Sequence, residues 1–346
     1  MILQNGVVRT LDPSLPTVGA LSIAGDRIAG GVGTQEAALT THDVVNLGGR
    51  CVLPAFNDAH VHFPTWALAQ RQAALDGAAS LAEALVRVRA YGETLAPGRW
   101  LRGTGWRDAG WEAPPTRQAL DEITGERPAA LWAKDYHSLW LNSAALAVAA
   151  GTLDVPGGIV ERDASGEPTG ILREEAAWEF RQHVHTSMDE WVEATRAGIK
   201  LAHSRGVAAV HDKDGWLGAP GIFQRIAAAE GLTLRVWCSV PHGQVEELAA
   251  LGLVSGIGDD FLRIGYLKAF MDGTLGSQTA WMLDGSGVRI TSGEELAEII
   301  RSGARAGWPV SVHAIGDRAN REALDAFAAA PRAADLRHHV AHLQVV

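Results

Sequence analysis

The stretch "PVSVHAIGDRANREALDAFAAA", Pro309 to Ala330, contains one complete structural unit. Its first part is a short run rich in apolar and β-branched residues, the composition of a buried strand. After Gly316 and Asp317 the remainder carries helical periodicity. The same unit recurs on both sides. "DEWVEATRAGIKLAHSRG" reads as a helix ending on Gly206, followed by the strand "VAAVHDK". "GIFQRIAAAEG" and "QVEELAALG" read as helices, each followed by a strand, "LRVWCSV" and "LRIGYLKAF". "SGEELAEIIRSGARAG" opens with Ser292 and Glu295 in capping-box spacing. "RHHVAHLQVV" is a last strand. Alternating strands and helices imply a parallel sheet, and this many units favour a (β/α)8 TIM-type barrel over a doubly wound sheet.

The first strand of the series is "VLPAFNDAHVH", and it shapes the functional reading. His60 and His62 alternate, so on a strand they project to one face. His313 ends the fifth strand and His342 the sixth, while Lys268 sits in the apolar fourth. The C-terminal strand ends of a parallel barrel converge on one face, where active sites lie. Each residue alone has an ordinary explanation: a packed histidine, or a lysine that snorkels to solvent. Their convergence on four strands points to a metal site. His338 and His339 compete with His342 for the sixth-strand position.

Residues 1 to about 52 alternate apolar and polar, with turns expected at Gly25-Asp26 and Gly30-Gly31, and read as a small β domain. Residues 53–346 form the barrel. Residues 66 to about 188 are an insertion too long for a plain loop. Within it "SLAEALVRVRAYGETL" reads as a capped helix and "AALWAKDYHSLWLN" as one or two strands. Six barrel strands can be counted where a closed barrel needs eight. The barrel is therefore expected to be incomplete, the gene product to continue past Val346, and this chain alone to be inactive.

Composition narrows the function further. The 346 residues carry a net charge of −10, which argues against nucleic-acid binding. Only Cys51 and Cys238 occur, so a disulfide framework is not expected and a cytoplasmic location is favoured. There is no signal-peptide pattern at the start and no apolar span suited to a bilayer. The expected partner is a small-molecule substrate, with no nucleic acid and no membrane, and a homo-oligomer is left open. Twelve tryptophans are present. Those at 66, 100, 106, 111, 132 and 140 suggest core packing or an aromatic-lined pocket.

Taken in order, "LPAFNDAHVH", "GTGWRDAGW", "DYHSLWLNSAAL", "GGIVERDASGEPTGIL", "LKAFMDGTLGSQTA", "VSVHAIGDRANREALDAF" and "RHHVAHLQ" resemble the amidohydrolase superfamily, and within it the YtcJ-like metal-dependent hydrolases. The resemblance runs the length of the chain. It implies a sandwich-like N-terminal domain and a barrel with one or two divalent metal ions at its mouth, zinc first. It makes His60, His62, His313 and His342 ligands, and Lys268 a bridging ligand when carboxylated. A plain ammonium would repel a cation, whereas a carbamate is an anionic two-oxygen bridge, and burial helps free the amine that forms it. It implies hydrolysis of a carbon–nitrogen bond other than a peptide bond by metal-activated hydroxide. The proton-shuttling aspartate of the superfamily ends the eighth strand, so no catalytic residue is assigned; Asp212, Asp272 and Asp317 do not match it. His137, His211 and Asp272 are the substrate-binding candidates. Asp272 would line the pocket, hold its loop or make an Asp-Gly turn. Asn142 shares the segment of His137, and Gln278 replaces an arginine often seen in its loop. Two other readings stand beside hydrolysis: a catalytically incompetent fragment or metal-binding pseudoenzyme, and a non-hydrolytic, isomerase-type member of the same fold.

Overall fold

A computed structural model describes residues 1–32, 43–149, 153–330 and 335–346. The chain divides into two compact units: Met1–Asn57 with Gly206–Ala208, and Asp58–Arg205 with Ala209–Val346.

The first unit holds β1 (Ile2–Arg9), β2 (Thr17–Ala24), β3 (Arg27–Val32), β4 (Val44–Asn46) and β5 (Cys51–Val52). They form one mixed sheet in the order β3-β2-β1-β4, with β5 also on β1. Gly25 and Asp26 make the expected hairpin turn. Gly30 and Gly31 do not turn: β3 runs through them to Val32, and its pairing with β2 absorbs a register shift instead. Residues 33–42 of the expected first domain lie outside the described residues.

The second unit opens with β6 (Phe56–Val61), whose first two residues belong to the first unit, and α1 (Phe63–Ala69). Next comes the insertion: β7 (Ala73–Ala74), α2 (Leu81–Glu93), β8 (Leu101–Trp106), α3 (Arg117–Thr124), β9 (Ala129–Ala133), β10 (Ser138–Leu141), α4 (Ser143–Val148), β11 (Gly158–Arg162), β12 (Pro168–Glu174) and α5 (Glu175–Phe180). It builds its own sheet, ordered β11-β12-β10-β9-β8-β7. Alternation along β10 divides its core: Trp140 packs with Leu101, Leu120 and Leu131, while Leu139 and Leu141 pack with Leu172 and Phe180 on the other face. Trp106 and Trp140 are core residues and the half-buried Trp111 packs against them; Trp140 meets both others edge-on, and each indole N–H donates to a backbone carbonyl.

The remaining elements are α6 (Met188–Ser204), β13 (Val207–Asp212), α7 (Ala219–Glu230), β14 (Arg235–Pro241), α8 (Val245–Ala250), β15 (Ile257–Gly258), β16 (Leu262–Phe270), α9 (Gly293–Ala306), β17 (Val310–Ala314), α10 (Asp317–Ala329) and β18 (His339–His342). The capping box on α9 forms as the spacing predicts. The main sheet runs β6-β13-β14-β16-β17-β18, parallel from β13 to β18, with β15 antiparallel on β16. Leu267 and Val312 pack with Leu296 and Ile300 of α9 and Ala319 and Ala323 of α10. In a flat sheet of six strands the outer two would stand five spacings, roughly 24 Å, apart. The rings of His60 on β6 and His342 on β18 are 4.6 Å apart. The sheet therefore curls strongly, as in a barrel. Among the described residues no helix is long and apolar enough to cross a membrane.

A bulge in β16 sets the direction of its last residues. Cys238 pairs with Ile264, but Ser239 pairs with Tyr266, so Gly265 is an extra residue. A Cβ on Gly265 would overlap the indole of Trp237. Gly265→Ala should therefore overpack the sheet and cost about 3 kcal/mol. Urea unfolding checks this, and an unchanged midpoint would contradict the close approach.

Candidate metal centre and cavity

Five imidazoles form a chain at one end of the curled sheet. Ring centroids lie 5.9 Å apart for His62–His60, 4.6 Å for His60–His342, 4.5 Å for His342–His313 and 5.5 Å for His313–His137. Strand ends supply the first four, and the insertion supplies His137. Lys268 belongs to the same group: it is 2% exposed, and its amine has no hydrogen-bond partner among the described residues.

The electrostatics suit neutral nitrogen donors. Burial pushes His60 and His313 far below the usual imidazole range, and the Lys268 charge adds to this. The same two causes bring His342 down to about 4. Lys268 itself is pushed well below the usual lysine range, by burial first and by Lys213 second. Neutral imidazoles are metal-ligand chemistry, and a free amine is the form that can be carboxylated. Among the described residues, however, no three His, Cys, Asp or Glu side chains focus their donor atoms on one point. The donors fit a divalent metal in kind and are gathered, but they are not arranged around an ion.

Hydrogen bonds define two of the tautomers. His62 Nδ1 lies 2.9 Å from Asp214 Oδ1, so Nδ1–H donates and Nε2 is the ring nitrogen not used in this bond. The other Asp214 oxygen accepts from the Thr65 backbone at 2.9 Å. His313 Nε2 donates to the Gly273 carbonyl at 2.9 Å, which leaves Nδ1 free. On β18, His338 Nδ1 accepts from the Val310 backbone, and His339 contacts the Tyr266 hydroxyl at 3.2 Å. It is His342 whose ring meets His60 and His313.

The substrate-binding candidates separate. His137 lines a cavity of about 710 Å³ together with His62, Trp132, Trp178, Trp216 and Phe270. Its Nδ1 is 2.7 Å from Glu174 Oε2. His211 lines neither cavity and stacks on Trp237 at 6.0 Å. Asp272 is fully buried and also lines neither; its carboxylate accepts from the backbones of Trp281, Ile315 and Gly316 at 2.8–3.0 Å. This is the loop-holding role, one of the alternatives that the sequence leaves open for Asp272. Burial raises Asp272 to about 6 against the pull of those three N–H groups. Asn142 caps α4 and bonds the Ala129 backbone, a structural role.

Three residues were not singled out from the sequence. Asp214 orients His62 from 152 positions away. Glu174 is fully buried against His137, and its other oxygen accepts the Thr279 hydroxyl. Glu174 also has φ 52°, a conformation that costs about 1–3 kcal/mol and collects at functional sites. Lys213 is fully buried, is lowered to about 8 mainly by burial, and lines a second cavity of about 290 Å³ with His60, His339 and His342. The one available sequence signal was the charged run Asp212-Lys213-Asp214 directly after an apolar strand.

Comparison with known proteins gives a consistent picture. The model of a family described as "Amidohydrolase family" matches residues 43–346. "Protein LONG AFTER FAR-RED 3" of Arabidopsis thaliana is 30% identical over 99% of this chain and 64% of its own length. "Putative amidohydrolase YtcJ" of Bacillus subtilis is 30% identical over 87% of this chain and 60% of its own. The chain thus spans less than two thirds of either relative. The crystal structure of an uncharacterized metal-dependent hydrolase from Pyrococcus furiosus superposes with a TM-score of 0.72 at 26% identity, covering 98% of this chain and 71% of that one.

Proposed function

Because the chain belongs to the amidohydrolase family, we propose that it hydrolyses a carbon–nitrogen bond other than a peptide bond, in an amide, formamide or related small molecule, with one or two divalent metal ions, zinc first. The observation that carries this reading is the chain of neutral histidine rings, 4.5–4.6 Å apart across the first, fifth and sixth strands, beside the unpartnered amine of Lys268. His60, His62, His313 and His342 would hold the metal, and Lys268 would join them once its amine nitrogen adds to carbon dioxide, loses a proton and becomes a carbamate. When bound, the metal lowers the pKa of water to roughly 7 and so supplies hydroxide at neutral pH.

The chain's own residues do the rest. Asp214 fixes the His62 tautomer and ring direction. The large cavity beside the histidines is of a size that suits a small organic substrate. Trp132, Trp178, Trp216 and Phe270 on its wall favour an apolar or aryl body and exclude water from it. A screen of zinc-loaded protein against simple amides, N-substituted formamides and sugar acids tests the reading. Hydrolysis of an amide or formamide is expected where all eight barrel strands are present, and residues 1–346 alone are expected to be inactive; robust activity of the short form would overturn that second expectation. Isomerisation of a sugar acid with no amide cleaved would replace it with the isomerase-type alternative.

A further inference from the structure

Besides the histidines and the aromatic wall, six acidic and basic side chains of the described residues line the large cavity, and hydrogen bonding sorts them into two groups. Three are committed within the protein. Arg102 bonds the Thr186 hydroxyl and the Glu190 carboxylate, Asp135 accepts the hydroxyls of Thr274 and Ser277, and Asp214 holds His62 and the Thr65 backbone. The other three, Glu175, Glu179 and Arg181, belong to α5 and the residue that caps it. Their side chains make no hydrogen bond and no ion pair among the described residues. Glu179 is exposed, while Glu175 and Arg181 are half-buried.

Glu175 and Arg181 are opposite charges on one cavity wall, near enough to feel each other's field but without closing an ion pair. Burial raises Glu175 above the usual carboxylate range, and Glu179 and Glu174 add to this. Burial lowers Arg181 against the pull of Asp214 and Glu175. Each charge is therefore short of a partner, and a ligand that brings both signs supplies one to each. The helix dipole accounts for the signs at the two ends of α5. It does not account for both side chains facing the cavity while leaving each other unpaired. The planar fork of an arginine matches a carboxylate, and a glutamate beside the rings of Trp132 and Trp178 matches an ammonium. Trp178 of α5 lies 5.0 Å from the His137 ring, which lies 5.5 Å from His313. A short alkyl chain covers that distance, so a molecule anchored at α5 reaches the histidines with its other end.

We infer that the substrate is an amide with a zwitterionic end: a carboxylate for Arg181 and an ammonium for Glu175, as in a free α-amino acid, with the scissile amide at the far end of an apolar chain. Diamino acids acylated on the side-chain nitrogen are the chemical class. This names the substrate class of the hydrolase reading above and rests on it. Arg181 and Glu175 are specificity-determining residues and take no part in the bond cleavage.

Isothermal titration calorimetry on the metal-free chain tests this as binding, without any need for turnover. Four formamides on one five-carbon chain are compared. Nε-formyl-lysine carries both charges, N-formyl-6-aminohexanoate the carboxylate alone, N-formylcadaverine the ammonium alone, and N-formylpentylamine neither. Nε-formyl-lysine should bind most tightly. Arg181→Met should weaken the two carboxylate-bearing ligands by about 10–100-fold and leave N-formylcadaverine unchanged. Glu175→Gln should weaken the two ammonium-bearing ligands by a similar factor and leave N-formyl-6-aminohexanoate unchanged. The unchanged ligand in each case shows that the variant is folded. Equal binding of all four, a loss in either variant that is the same for all four, or no binding of any at millimolar concentration would overturn the inference. So would a ligand of single charge that binds as tightly as Nε-formyl-lysine. Each of these outcomes leaves the hydrolase reading standing, because the amide and formamide screen decides that separately.

Discussion

His60→Ala is expected to empty the metal centre and to lower amide hydrolysis by roughly 10³-fold or more, the equivalent of about 4 kcal/mol of transition-state stabilisation. His60 occupies the middle of the ring chain, with His62 at 5.9 Å and His342 at 4.6 Å. Losing it separates the donors at the first strand from those at the fifth and sixth. Stability should change little, because the barrel core is made by Leu267, Val312, Leu296 and Ile300 and their neighbours, and His60 is not among them. The measurements are bound zinc per chain, turnover at saturating zinc, and the thermal midpoint. Full turnover with full zinc content in the variant would remove this cluster from the chemistry.

Lys268→Met should have opposite effects on activity and on stability. Activity should fall by a factor similar to that in His60→Ala, since methionine cannot become a carbamate. The metal-free fold should gain about 1–3 kcal/mol, because a buried amine without a partner is replaced by an apolar chain of similar length. The gain should depend on pH with a definite sign. Burial holds the folded-state pKa of Lys268 well below its ordinary value, while the unfolded chain binds the proton up to about 10.4. Between those values the unfolded state binds more protons, so this group makes wild-type stability rise with pH. The advantage of Lys268→Met should therefore be largest at low pH and shrink as pH approaches about 10.4. Urea titrations of both proteins in metal-free, carbon-dioxide-free buffer read it directly. A variant less stable than wild type across that window would mean that Lys268 is partnered in solution.

Local pattern was enough to identify most elements. The strand–helix repeat, the capping box at Ser292 and Glu295, and the insertion's helix and two strands all follow from periodicity and cap chemistry over a few residues. The same locality placed His60, His62, Lys268, His313 and His342 at strand positions that a parallel sheet brings to one end. Periodicity could not say which rings meet. It gives the face of a residue relative to its own strand, and two features reset that face here. The Gly265 bulge inserts a residue ahead of Lys268, and His342 ends β18 with φ 78°, outside strand geometry. Asp272 fits a pocket wall as well as a loop anchor on sequence; only the three backbone N–H groups that converge on it decide. The pairings of His62 with Asp214, His137 with Glu174 and Glu174 with Thr279 span 152, 37 and 105 positions. What the sequence determined by itself was a curled parallel sheet with histidines at its strand ends. Which carboxylate orients which imidazole was decided only by the tertiary structure, because such contacts depend on how distant segments pack, and no local spacing records that.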